Sequence, residues 1–294
     1  MAPRFDLQSH STHSDGTLPA EEVVARAAEA GVELLALSDH DTIAGVPEAL
    51  AAGERLGLRV VPAVEISAVD DEASTPRELH ILGYNIDHTG PRLTQRLTEF
   101  LADREQRTLR MAEALKEAGF ELDETEIRER IAAGKPIGRP HLATAVLSAP
   151  ANANRLADEE IGDVGALIRG YLIEGKPAFR MRATPTVAEA VDAIHEAGGV
   201  AIWAHPFWDI SDPDEVLDSV ERFQRLGMDG VEVFYITHTR EQTELLARRC
   251  SELGLLQTGS ADFHGPDNPQ FHTFLAFDTY GLEPQLGPIE AGSR

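Results

Sequence analysis

Apolar runs alternate with helical spacing along the first third of the chain. Residues 5–7, 33–37, 59–64 and 79–84 read as strands. Between them lie a helix over 19–30, with Pro19 in its first turn and Gly31 after it, and a helix over 46–56 that stops at Gly57. Strands alternating with helices predict a parallel sheet, as in a barrel or a doubly wound α/β fold. The pattern changes after residue 90. Leu93, Leu97, Phe100, Leu101, Met111 and Leu115 fall on helical spacing, and Gly119 ends the run. Helices are predicted over 124–133, 139–147 and 161–174, with a loop over 148–154, rich in Ala, Pro and Asn. Alternation then resumes, with helices at 186–197, 214–226 and 240–253 and strands at 200–204, 230–235 and 255–260. The expected organisation is an α/β part over 1–90 and 182–280, a helical insertion over 91–181, and a C-terminal tail over 281–294.

Composition narrows the function. The net charge of −24 argues against a basic nucleic-acid footprint and against docking on anionic lipid. An anionic small substrate then needs local cations, either metal ions or basic side chains. No apolar run approaches the roughly 20 residues of a membrane span, and the N-terminus has no basic-then-apolar leader pattern. The expectation is a cytoplasmic protein, with no membrane association and no protein partner inferred. The single cysteine, Cys250, cannot form an internal disulfide.

The polar residues that interrupt this pattern follow a rule. His10 and Asp15 come after the first strand, Ser38-Asp39-His40-Asp41 after the second and Glu65 after the third. His80 lies within the fourth, His205 follows the strand at 200–204, and Asp262 and His264 follow the last. In parallel α/β sheets the C-terminal strand ends form the active-site face. Imidazole and carboxylate are the ligands that Zn²⁺ and Mn²⁺ accept. Taken singly, each residue reads as a hydrogen-bonded loop residue or a helix cap. Together they point to one mouth, where ionisable groups crowded at such density need a cation to balance them.

Other features are weaker. His13, His88, His195 and His272 read as loop, surface or packing residues, and His238 follows a strand. Gly170 to Lys176 has the letters of a phosphate-binding loop, but Pro177 stands where Ser or Thr is needed and no strand precedes it. Arg104 and Arg107 stand one helical turn apart, either solvated or placed to clamp phosphate, and Arg139, His141 and Lys176 are similar candidates.

These residues resemble the PHP family, the polymerase and histidinol phosphatase superfamily of metal-dependent phosphoesterases. The match runs from Asp6 to about His272, through 6–16, 38–41, Glu65, His80, 204–206 and 262–264. It is closest to the branch of the nucleoside 3′,5′-bisphosphate phosphatases and TrpH-type RNases. The resemblance implies an α/β fold, a distorted seven-stranded (β/α) TIM-like barrel with a helical insertion, carrying two to three divalent ions (Mn²⁺, Zn²⁺ or Fe²⁺). It implies one ion on His10, Glu65 and Asp262, a second on Glu65, His80 and His205, and a third on Asp15, His40 and His264. Arg104, Arg107, Arg139, His141 and Lys176 would then face the substrate. One position departs: the family opens with His-x-His, and Gln8 stands first here.

The resulting expectation is hydrolysis of a phosphate ester of a small nucleotide-like metabolite, or of a short RNA end, by a metal-bridged hydroxide. His264 and His238 are the candidate proton donors. Two rivals are a degenerate domain that binds a phosphorylated ligand without turnover, and an amidohydrolase-type C–N hydrolase. The latter typically bridges its metals with a carboxylated lysine, and Glu65 holds the bridging position here.

Overall fold

The computed structural model describes residues 4–291; the last three residues of the expected tail, 292–294, lie outside the described residues. The chain divides into two units. The first runs to Leu97 and resumes at Pro185, and the second is Thr98–Thr184.

The first unit is a seven-stranded sheet in sequential order: β1 (Phe5–Asp6), β2 (Leu34–Leu37), β3 (Arg59–Asp70), β4 (Arg77–Tyr84), β5 (Val200–Trp203), β6 (Gly230–Tyr235) and β7 (Leu256–Ser260). Leu7 N–H donates to Gly259 O at 3.2 Å, and Ser9 bridges to Phe263. The sheet thus closes on itself as a barrel, which removes the unpaired edges that open sheets must protect.

One feature corrects the sequence-based expectation. β4 runs antiparallel to both β3 and β5, while the other pairs are parallel. The cause is the short connection 71–76. A parallel crossover needs roughly a dozen residues, so a link of this length makes a hairpin. β3 also extends to Asp70, well past the expected 59–64, and Arg222 holds that end with both guanidinium nitrogens on the Asp70 carboxylate.

The helices of this unit that precede the second unit are α1 (Ala20–Glu29), α2 (Val46–Leu56) and the start of α3 (Pro91–Glu117). α1 and α2 bury Val23, Val24, Ala27, Ala49 and Ala52 in one cluster with Leu35 and Leu37 of β2. At about 25 cal/mol per Å² of apolar surface, this burial sets the strands against their outer layer.

In the second unit, α3 is followed by α4 (Thr125–Ala132), α5 (Arg139–Leu147), α6 (Ala153–Asp158) and α7 (Val164–Leu167). They enclose a core of Met111, Leu115, Phe120, Ile127, Leu142, Val146, Leu167 and Leu172. The expected loop at 148–154 instead forms a 3₁₀ turn, Pro150–Asn152, running into α6. Proline favours such a first turn. The buried Asn152 side chain ties it to Glu121 N and O and to Val146 O. The single helix expected at 161–174 is broken into α7 and a π turn, Ile168–Leu172. Asp163 accepts Ala166 N–H at 2.7 Å and so starts the helix three residues late, at Val164.

The first unit continues with α8 (Val187–Glu196), α9 (Pro206–Asp209), α10 (Pro213–Arg225), α11 (Arg240–Leu253) and α12 (Pro288–Ala291). Thr186 and Thr239 each form a capping box, with Glu189 and Gln242 as partners. No helix among the described residues is long and apolar enough to cross a membrane.

Asp6 ends β1 and locks the closure. Its carboxyl accepts Ala261 N–H at 3.0 Å and Leu275 N–H at 2.8 Å. Burial outweighs these two donors and raises the group to about 7. An unfolded aspartate ionises near 4. Between pH 4 and 7 the folded chain therefore holds a proton that the unfolded chain has lost, and stability falls as pH rises through that window. The slope from this one group is at most about 1.4 kcal/mol per pH unit. Asp6→Asn is expected to flatten the difference in urea midpoint between pH 5 and pH 7. An unchanged slope would show that Asp6 does not carry it.

Candidate metal centre

The residues singled out at the strand ends come together inside the barrel mouth. His10 follows β1, where its N–H donates to Phe263 O at 2.8 Å. The loop after it turns back at Gly16, where a Cβ would fall 2.2 Å from His10 O, so only glycine fits. His40 bridges to Glu65, and Asp41 N–H donates to Glu65 O, so the end of β2 is stitched to the middle of β3. His80 faces Ser67 in the β3–β4 register, and Ala204 N–H donates to His80 O, which sets His205 beside it.

Glu65 is the hub, and it is completely buried. Its Oε2 lies 3.0 Å from His10 Nε2 and 3.7 Å from His40 Nδ1. Its Oε1 lies 2.7 Å from His80 Nδ1 and 3.4 Å from His205 Nε2. His10 Nε2 is also 3.1 Å from Asp262 Oδ1. Asp15 lies 3.7 Å from His40 Nε2 and 3.6 Å from His264 Nε2. Among the described residues, two sets of ligand atoms lie within 4.8 Å of one another: His10, Asp15, His40 and His264, and His40, Glu65 and His80. His10 thus joins the Asp15 group as well as Glu65 and Asp262, and His40 joins Glu65, a sharing that spacing along the chain does not reveal.

The charges are strongly coupled. Burial opposes the Glu65 carboxylate, but His40, His80, His10 and His205 more than offset it and hold the group well below the usual range. Burial also disfavours a charged His205, yet Glu65 and Asp209 raise it to about 9. His10 is raised in the same way by Asp262 and Glu65. His40 goes the other way: burial, helped by His10 and His80, takes it to about 3.

The arrangement fits divalent ions. Among the described residues, buried His10 Nε2, His40 Nδ1, His205 Nδ1 and Asp262 Oδ1 have no hydrogen-bond partner. Buried polar atoms are nearly always bonded. Close contacts that miss hydrogen-bond geometry are what lone pairs aimed at a shared cation leave behind, and nitrogen and carboxylate oxygen suit Zn²⁺, Mn²⁺ or Fe²⁺. The backbone is strained at the same place. Asp41, His205 and Asp262 have φ of 53°, 31° and 55°, a region that non-glycine residues adopt at a cost and that clusters at functional sites.

The two proton-donor candidates differ. His264 Nδ1–H donates to Asp262 O at 2.7 Å, which leaves Nε2 towards Asp15. His238 Nδ1–H donates to Val233 O at 3.0 Å, and burial lowers it to about 4. At neutral pH His238 has one proton, committed to that carbonyl, and none to give.

The basic candidates lie in the second unit. Arg104 and Arg107 are buried and each uses Nε on a backbone carbonyl, of Ile137 at 2.8 Å and Arg180 at 2.7 Å. His141 Nδ1 accepts Gly138 N–H at the start of α5. Arg104 and His141 thus meet around residues 137–138, while Lys176 is exposed.

Asp39 has a supporting role that its place in the strand-end set at 38–41 does not reveal, and Tyr235 and Glu232 support the site from outside that set. Asp39 accepts Ser11 N–H, Ser11 Oγ–H and Ser14 Oγ–H at 2.6–2.8 Å and so shapes the loop that presents Asp15. Tyr235 O–H donates to Asp262 Oδ2 at 2.8 Å. Glu232 is buried in β6, with burial raising it to about 8. Its signal was available: a carboxyl in the run Gly-Val-Glu-Val-Phe-Tyr is out of place unless it serves a neighbour.

The model of the PHP domain matches residues 6–148. A 5′-3′ exoribonuclease of Haemophilus influenzae is 35% identical over 90% of this chain and 92% of its own. A phosphoribosyl 1,2-cyclic phosphate 1,2-diphosphodiesterase of Eggerthella lenta is 34% identical over 88% and 94%. A 3′,5′-nucleoside bisphosphate phosphatase of Chromobacterium violaceum is 31% identical over 89% and 87%. Among solved structures, a Chromobacterium violaceum protein described as an amidohydrolase, with bound sulfate and no metal, superposes with a TM-score of 0.78. It is 30% identical over 92% of this chain and 90% of that one. A Bifidobacterium adolescentis protein described as a metal-dependent phosphoesterase gives 0.73, at 29% identity over 92% and 91%.

Proposed function

This chain belongs to the PHP domain family of metal-dependent phosphoesterases, and on that footing we propose that it cleaves a phosphate ester of a small nucleotide. A nucleoside 3′,5′-bisphosphate is the first candidate and a short RNA end the second, since named relatives act on each. The observation that carries this reading is the convergence of His10, Asp15, His40, Glu65, His80, His205, Asp262 and His264 on one buried hub with lone pairs left over.

We assign two to three divalent ions to these residues. One would be held by His10, Glu65 and Asp262, one by Glu65, His80 and His205, and one by Asp15, His40 and His264. When bound, such ions supply positive charge to phosphoryl oxygens and bring the pKa of a water from 15.7 towards roughly 7. The protein's own part is to aim and insulate. Glu65 turns one oxygen to each side, so its rotamer already spans two positions. His40, kept neutral by burial, offers one nitrogen lone pair without first losing a proton. Asp262 is fixed by Tyr235 on one oxygen and leaves the other towards His10. His80 and His264 are the partly open side, with 19% and 14% of their side chains exposed, and phosphate would approach from there. No side-chain nucleophile is required, and Cys250, which burial pushes up to about 12, is not one.

The test is phosphate release with Mn²⁺ over nucleoside bisphosphates, monophosphates, cyclic phosphates and short RNA. Activity is expected on at least one class, and His40→Ala is expected to lower it more than about 100-fold with an unchanged circular dichroism spectrum. Release from none of these substrates by the parent protein would end the reading.

A further inference from the structure

Gln8 occupies the position where the family's opening motif has its first histidine, yet it is built into the site. It is 1% exposed, and its Nε2 lies 3.0 Å from Glu65 Oε2. A carboxylate has no proton to offer, so the amide must turn its NH₂ to Glu65 and its carbonyl away. The carbonyl lies 3.3 Å from Ser260 Oγ. Ser260 in turn lies 2.6 Å from Glu232 Oε1, and Glu232 Oε2 accepts His205 N–H at 2.9 Å. Glu232, Ser260, Gln8 and Glu65 come from β6, β7, the segment just after β1, and β3 in turn, and none is more than 1% exposed. A polar row this deep keeps its partners, because no water can replace them.

We propose that Gln8 is a positioning residue and not a metal ligand: its amide N–H anchors Glu65, and the ion on the His10–Asp262 side is left one ligand short and exchanges most readily. This rests on the metal-dependent reading above. A histidine at this place adds a ligand to one ion. A glutamine facing Glu65 adds none, and takes up one acceptor direction of the carboxylate that two ions would share. Outer-shell partners of this kind orient the ligands they touch, and their loss costs roughly 10–100-fold in affinity or activity.

The first readout needs no turnover. Mn²⁺ is titrated into the metal-free parent, Gln8→His and Gln8→Leu, and free Mn²⁺ is followed by electron paramagnetic resonance. The parent is expected to hold one ion at least about tenfold more weakly than the rest. Gln8→His tightens that ion alone, by about tenfold or more. Gln8→Leu frees the Glu65 carboxylate from its anchor and lowers kcat about 10–100-fold with little change in KM. The proposal is overturned if all ions bind the parent alike, if Gln8→His leaves the weak ion unchanged, or if a folded Gln8→Leu keeps the parent's kcat. Thermal melts confirm folding, and the Gln8→His comparison decides alone if Gln8→Leu does not fold. Parent protein that binds no Mn²⁺ at all overturns the phosphoesterase reading instead.

Discussion

Glu65→Gln abolishes turnover, by more than about 100-fold, while leaving a folded barrel. The expected size follows from position. Loss of an outer-shell partner costs roughly 10–100-fold, and Glu65 is the group that such partners serve. Its two oxygens lie between His10 and His40 on one side and His80 and His205 on the other. Glutamine keeps the shape but removes the charge and presents an NH₂ to atoms that carry lone pairs. The metal-free protein should also change. Glu65 helps to raise His205 to about 9, so its loss lowers that value. A His with a raised folded pKa stabilises the folded chain below its unfolded value near 6.5, and the benefit disappears as pH rises to 9. Glu65→Gln should therefore cost the metal-free protein most stability below pH 6.5. More than a tenth of parent activity, measured with saturating Mn²⁺, would remove Glu65 from the centre of the site.

Chelation at pH 7.5 reduces activity to background, and Mn²⁺ restores it with an affinity that climbs with pH. The climb follows from the same contacts. A ligating imidazole must be neutral. In the metal-free protein His205 carries a proton up to about pH 9, because Glu65 and Asp209 favour the cation against the cost of burial. Each ion that takes this nitrogen must expel the proton. Apparent affinity is therefore expected to rise up to about tenfold per pH unit between 7 and 9, for each proton displaced, and then level off. Calorimetry in buffers of different ionisation enthalpy counts the protons directly, and at least one per chain should leave at pH 7.5. Zero proton release together with pH-independent binding would contradict the assignment of His205 as a ligand.

The candidate site was legible for a local reason. His10, His40, His205 and Asp262 each follow an apolar run, and a strand that ends in a titratable residue stands out against its own pattern. Glu65 and His80 were visible the same way, although β3 runs on past Glu65 and His80 lies in mid-strand. Glu232 sits inside a run, not after one, so the strand-end rule does not mark it. Asp39 stands in the strand-end set at 38–41, but position along the chain does not show that it serves Ser11 and Ser14, more than two dozen residues away. The broken helix at 161–174 shows the limit of periodicity: the apolar spacing continues through it, and the Asp163 cap decides where it starts.

Apolar spacing, glycine stops and strand-end polar residues, read along the chain, were enough to establish alternating α/β architecture, a helical interruption, and a collection of metal-ligand side chains. These are properties of neighbouring residues, set by backbone periods of two and 3.6. Tertiary structure alone decided the reversed direction of β4, which oxygen of Glu65 faces which histidine, and the pairing of Gln8 with Glu65 across 57 positions of sequence. It also decided which imidazoles burial leaves neutral and which a nearby carboxylate keeps charged. The reason is physical. Hydrogen-bond direction and local dielectric depend on what lies within a few ångströms in space, and closure of the barrel between β1 and β7 is what brings those distances about.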